Sequence, residues 1–176
     1  MRRRSLTPVA VLLFSAVPAS AKYYAADRYD VELQLDRQGS LTVTETLVFR
    51  FGSGPFQFAY RDIAATETDG IEDVQAWMDE RLCPLGTGPG EVEIHGRSRV
   101  MVKWHFAQLS NQVHTFTVRY RVAGTLRTSA NAQTLIWRAL PPERGYRIQA
   151  SEIVLEYPRG IDPSTVHTCC LLFSFA

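Results

Sequence analysis

Glu45 is the first candidate for chemistry because of its place in its own segment. Leu41, Val43, Leu47, Phe49 and Phe51 occupy the odd-numbered positions around it, so a strand here turns the Glu45 carboxylate toward the dry face. An unpaired carboxylate inside a protein is costly, so Glu45 must be protonated or must meet a cation or several donors. Arg61 and Arg138 are the cations available to it. Such a group is either a general acid/base or the anchor of a buried ion pair. The anchor reading carries more weight, because structural ion-pair networks perturb carboxylates as active sites do. Asp62, beside Arg61 where a strand ends, would be the second carboxylate of a catalytic pair. Glycoside hydrolysis needs the two about 5–10 Å apart, a distance that position along the chain does not set. A solvated aspartate at the start of a loop is the simpler reading of Asp62.

The remaining reactive side chains form no recognisable constellation. His95, His105, His114 and His167 lack any tight ligand spacing, although His105 and His114 could meet across a hairpin. His167 lies near Cys169 and Cys170, but not in the two-His, one-Cys order that a trigonal copper site wants. Neither a metal nor an organic cofactor is expected. No G-x-S-x-G is present. Leu85 to Gly90 is glycine-rich but lacks the lysine of a phosphate loop, so it reads as a loop and not as a nucleotide cradle. Of the three tryptophans, Trp104 shares a face with Val100, Val102 and Phe106 and reads as core. Trp77 and Trp137, which could stack on sugars, and Arg61 are the candidate binding residues. Three cysteines leave one thiol over; Cys83 with Cys169 or Cys170 is the only pairing that closes a useful loop.

The elements that must position these residues are strands. Tyr29, Val31, Leu33 and Leu35 alternate with Asp30, Glu32, Gln34 and Asp36, the period of a strand with one wet face. A turn at Arg37–Ser40 leads into Leu41–Phe51, whose Thr42, Thr44 and Thr46 suit a pleated surface; the two segments predict a hairpin. After Gly52–Pro55, Phe56, Phe58 and Tyr60 alternate into Ile63. A weaker strand is expected over Glu72–Met78, then the longest loop at Cys83–Gly90. Val92 and Ile94, Val100–Phe106, Phe116–Val122, Leu135–Leu140 and Tyr146–Tyr157 complete the set. No segment beyond residue 21 has a helical period. Turn signals recur about every 8–12 residues, as in a sandwich or barrel. The expected fold is therefore all-β, an antiparallel β-sandwich that is immunoglobulin-like in general architecture.

The first 21 residues have a different character. Arg2–Arg4, an apolar run from Val9 to Val17 and Ala19-Ser20-Ala21 are the three parts of a secretory signal peptide. The run is well short of the about 20 residues that span a bilayer. The expected organisation is a signal peptide at 1–21, one extracytoplasmic domain at 22–165 and an atypical tail at 166–176, VHTCCLLFSFA. The mature part carries 16 basic and 18 acidic side chains. That balance, with export, excludes nucleic acid and argues against a polybasic membrane-surface binder.

Tyr29-Asp30-Val31, Gly39 to Glu45, Tyr60-Arg61-Asp62-Ile63, His114 to Val122 and Leu135-Ile136-Trp137 together resemble the N-terminal part of the domain of unknown function 2207 family. The resemblance runs from about Tyr29 to Pro158. It implies a bacterial predicted membrane protein with a signal peptide, an extracytoplasmic β-rich domain and then transmembrane helices, so that this sequence reads either as a truncated or soluble member or as one whose tail replaces the membrane part. It supplies no catalytic residues, and it implies that Glu45 and Arg61 belong to the framework.

The reading that follows is a non-enzymatic binding or interaction domain, exported to the periplasm or cell surface. Its expected partners are an envelope protein, a membrane segment or a glycan, with neither nucleic acid nor nucleotide. The alternatives are an envelope hydrolase using Glu45 and Asp62, and a structural subunit packing on membrane helices.

Overall fold

A computed structural model describes residues 22–66, 68–128, 133–141 and 145–160, and the backbone of 166–169 and 172–175. The expected signal peptide, residues 1–21, and the Cys170 thiol lie outside the described residues. Among the described residues thirteen strands follow one another: β1 (Tyr24–Leu35), β2 (Leu41–Phe51), β3 (Phe56–Ala64), β4 (Gly70–Met78), β5 (Arg81–Leu82), β6 (Val92–His95), β7 (Arg99–Leu109), β8 (Gln112–Ala123), β9 (Leu126–Thr128), β10 (Gln133–Ile136), β11 (Ile148–Glu156), β12 (Val166–Cys169) and β13 (Leu172–Phe175). The fold is all-β, with no helix among the described residues.

Three sheets result, in the orders β11-β1-β2-β8-β4-β5, β3-β7-β6 and β12-β13-β10-β9. Among the described residues the named strands pair antiparallel except β1 with β11, which run parallel from Ala26↔Ile148 to Gln34↔Glu156. This order with its parallel edge does not establish the immunoglobulin-like detail expected from strand spacing. The hairpin between β1 and β2 forms as its turn residues dictate. The Asp36 carboxylate accepts from the backbone N–H groups of Gln38 and Ser40 at 2.9 and 2.8 Å. Gly39 takes the left-handed φ of 81° that the turn requires.

The core lies between the six-stranded and the three-stranded sheet. Val31, Leu33, Val43 and Val118 project from one side and Val100, Val102 and Trp104 from the other. Trp104 and Phe116 meet with ring centroids 5.4 Å apart, and Phe51 and Phe106 at 5.6 Å. The Trp104 indole N–H donates to the Trp77 carbonyl at 3.1 Å, tying β7 to β4 across the layers. β7 and β8 follow one another but belong to different sheets. The chain therefore turns a corner at Ser110–Asn111, where Asn111 has φ 53°, and His105 and His114 do not face each other across a hairpin. The β9/β10 ladder closes one flank, with Leu135 and Trp137 buried and the Trp137 ring 6.0 Å from that of Tyr120.

Departures from simple alternation coincide with bulges. β1 begins at Tyr24, five residues before the alternation becomes clean. A register shift between Ala26 and Arg28 buries both Ala25 and Ala26 and breaks the period. β4 carries a shift between Glu72 and Gln75, with Asp73 at φ 54°, which explains its weak pattern. β5 and β9 are too short to show a period. β10 ends at Ile136, short of the expected Leu140. Cys83 is a free, buried thiol.

Gly96, in the turn between β6 and β7, offers a direct test of this geometry. Its φ is 96°, and a Cβ there would lie 1.9 Å from the Arg99 carbonyl oxygen. Gly90 has φ 88° with nothing within 4 Å of such a Cβ. Gly90→Ala is expected to lose only the about 1–2 kcal/mol of a left-handed L-residue, and Gly96→Ala distinctly more. Urea unfolding of the two variants checks the order; equal losses would contradict the turn.

Candidate functional site

Glu45 is the centre of a polar knot inside the core. Its position on β2 follows the strand period, and its cross-strand neighbours are Val31 and Val118. The carboxylate is 0% exposed. Oε2 accepts from the Tyr29 hydroxyl on β1 and from Arg61 Nε on β3, the latter at 2.6 Å. Oε1 accepts from Arg61 Nη2 at 3.1 Å and from the Tyr120 hydroxyl on β8 at 2.6 Å. Each oxygen thus receives two donors, one of them from a bidentate guanidinium, the strong form of this pair. Arg61, 8% exposed, also donates through Nη1 to the Asp62 carbonyl. Three adjacent strands of one sheet and one strand of the facing sheet meet at this carboxylate.

The electrostatics follow from that geometry. Burial would lower the Arg61 pKa, but the Glu45 charge and the tyrosine oxygens outweigh it and raise it. Tyr29 and Tyr120 are pushed well above the usual phenol range, first by burial and then by the neighbouring carboxylate. Tyr29, Arg61 and Tyr120 hold their protons firmly, and their four hydrogen bonds occupy both Glu45 oxygens. The arrangement binds two sheets together and leaves no lone pair for a substrate.

The other sequence candidates are scattered. Arg61 and not Arg138, which is exposed, partners Glu45. Asp62 follows Arg61 on β3 and so points to the opposite face, where Arg99 donates to it at 2.6 and 3.1 Å. The structure does not bring Glu45 and Asp62 into one pocket. Trp137 is 4% exposed and belongs to the core, with its indole N–H unpaired among the described residues. Trp77 is half-buried on β4. His114 pairs with Asp79 at 2.6 Å and with Gln112 at 3.0 Å; the His167 side chain lies outside the described residues.

The outer face of the three-stranded sheet assembles groups that sequence reasoning did not connect. Phe58 and Tyr60 on β3 are 51% and 67% exposed, because Arg61 and Ile63 take the inward positions. The alternating aromatics of β3 are thus its wet face. Phe58 stands opposite His105, Tyr60 opposite Lys103 and Asp62 opposite Met101. Lys103 and Met101 in turn stand opposite Glu93 and His95 on β6. Glu93 collects its neighbours: His95 at 3.1 Å, His105, and Lys103 Nζ at 3.4 Å. Lys103 Nζ also lies 5.1 Å from the Phe58 ring centroid. Hydrogen bonds from His95 and His105, with a smaller contribution from Lys103, lower the Glu93 pKa to about 2. Among the described residues no group of three His, Cys, Asp or Glu side chains could hold a metal ion, so the cluster is a hydrogen-bonded network. The signal that could have found it is the inward Arg61, which fixes which face of β3 is outside.

The chain matches, over residues 25–169, the family described as predicted membrane protein (DUF2207) N-terminal domain. It belongs to the DUF2207 family. No curated protein matches the DUF2207 chain. Among solved structures, it is similar to a mutant M1 zinc metallopeptidase from Deinococcus radiodurans bound to a Tyr-Ser-Ala substrate, at 14% identity and TM-score 0.50. That match covers 86% of this chain and 38% of the peptidase. It is also similar to yeast LTA4 hydrolase, at 10% identity and TM-score 0.51, over 86% of this chain and 26% of the hydrolase. The DUF2207 chain therefore spans well under half of these enzymes, and the likeness is one of fold alone. No helix among its described residues is long and apolar enough to cross a membrane.

Two outcomes follow from the site geometry. Glu45→Gln leaves Arg61 buried without its charge partner and is expected to lower unfolding stability by about 3–5 kcal/mol. Replacing Glu45 and Arg61 together by apolar residues of similar volume should restore only part of that loss, because the buried Tyr29 and Tyr120 hydroxyls then lose their acceptor. Denaturant unfolding of both variants measures it, and a Glu45→Gln protein as stable as the parent would refute the knot. Glu93, whose folded pKa lies below its ordinary value of 4.5, favours the folded state above pH 4.5, and that contribution disappears as the pH falls toward 2. Side-chain NMR titration should place the Glu93 midpoint near 2, and a midpoint near 4.5 would contradict the network.

Proposed function

We propose that this DUF2207 chain is a non-enzymatic binding module on the extracytoplasmic side of a membrane, at the cell envelope. The observation that carries the reading is the outer face of β3, β7 and β6. There Phe58 and Tyr60 stand exposed beside side chains already held in place by Glu93 and Arg99. Exposed aromatics next to oriented polar groups are the composition of a recognition surface. By contrast, the ionic group with the most perturbed surroundings, around Glu45, is sealed and saturated. The basic, apolar and A-x-A parts of residues 1–21 support export, and the description of the family supports a membrane context.

The test is expression of the full chain in a bacterium, followed by fractionation and mass spectrometry. The processed protein should begin at Lys22 and appear in the envelope fraction, and Ala21→Phe should leave the precursor uncleaved. A photo-crosslinker at Tyr60 should capture an envelope component that one at Val154, on the opposite sheet, does not. Recovery of the unprocessed chain from the cytoplasm would overturn the location. A hydrolytic activity abolished by an Asp62 substitution that leaves the fold intact would overturn the non-enzymatic assignment.

A further inference from the structure

We propose that the outer face of β3, β7 and β6 is a binding platform for an uncharged polysaccharide, with Tyr60 and Phe58 as stacking residues. The inference rests on the binding-module reading and names its ligand class.

The argument begins with spacing. Phe58 and Tyr60 are two residues apart on one strand, so they project side by side about 6.8 Å apart. Both are more than half exposed. A pyranose ring has one face lined with C–H groups, and an aromatic ring removes that face from water at little conformational cost. Two such rings in a row along one strand suit an extended chain of sugars better than a compact small molecule, which favours a concave pocket.

Charge narrows the class. The charged side chains of this face cancel: Asp62 with Arg99, and Glu93 with Lys103. No net field remains to draw a polyanion or a polycation. The same pairs disfavour a dry protein interface, because covering them would desolvate four charges. A hydrated ligand leaves them in contact with water and hydroxyls. The Glu93 oxygens and the imidazoles of His95 and His105 are oriented by their mutual hydrogen bonds, so they can meet sugar hydroxyls without first being ordered.

The test is isothermal titration of the full chain with cellohexaose and with the β-1,4-linked hexamer of N-acetylglucosamine, and with dextran sulfate as the charged control. At least one uncharged hexamer should bind, with affinity nearly unchanged between about 0.05 and 0.5 M salt. Tyr60→Ser should weaken it about tenfold or more and Phe58→Ser several-fold, while Val154→Ser on β11 leaves it unchanged. Thermal melting of the three variants, each altered at an exposed position, confirms that they fold. Absence of binding to both hexamers, binding insensitive to Tyr60→Ser, or binding to dextran sulfate alone would each overturn the inference. If the hexamers fail while a crosslinker at Tyr60 captures an envelope protein, the glycan assignment falls and the binding-module reading stands. If both experiments are blank, both fall.

Discussion

The fold turns on a single buried carboxylate and the cation that reaches it from the facing sheet. Apolar contacts between the two layers are numerous but non-directional, and they tolerate sliding. The Glu45–Arg61 pair does not. It has a bidentate geometry, both oxygens are filled, and the remaining donors come from strands on either side of β2. Whether such a pair adds net stability over a well-packed apolar core is a separate question from whether it specifies arrangement. Here it demands that Tyr29, Glu45 and Tyr120 point inward on three neighbouring strands and that Arg61 does so on the opposite layer.

That demand reaches the surface. A strand has two faces, and fixing one residue inward fixes every second neighbour outward. With Arg61 inside, Phe58 and Tyr60 are outside, although their apolar character alone would have placed them in the core. An edge strand with exposed aromatics is ordinarily a hazard for aggregation. β3 keeps this pair beside Lys103, whose ammonium lies over the Phe58 ring, and starts with a register shift between Phe56 and Phe58 that interrupts regular pairing. The interior knot and the exterior face are thus two consequences of one side-chain orientation.

Much of the fold was readable from period alone, because β2, β7 and β8 alternate cleanly and their buried faces match their apolar residues. The inward position of Glu45 was equally readable, since the same alternation includes it. What the period could not convey is topology. The parallel β1/β11 edge and the passage of β7 and β8 into different sheets depend on contacts distant in sequence. Bulges at Ala26–Arg28 and Glu72–Gln75 removed the period locally. The outer face stayed hidden for a related reason. His95, His105, Glu93 and Lys103 are unremarkable one at a time and become a group only through the β6/β7 register. Trp137, a candidate for ligand contact by residue type, is core because β10 folds its flank against Tyr120.

The parallel pairing of β1 with β11 also has a mechanical meaning. The segment that enters at Tyr24 and the segment that leaves after Glu156 lie at opposite ends of the same pair of strands. Tension drawn along the chain between those points pulls the two strands lengthwise past each other. Their ladder, registered from Ala26↔Ile148 to Gln34↔Glu156, then shares the load across its bonds at once and is not opened one bond at a time from an end. Extension between Tyr24 and Glu156 would meet its resistance in the shearing of this ladder.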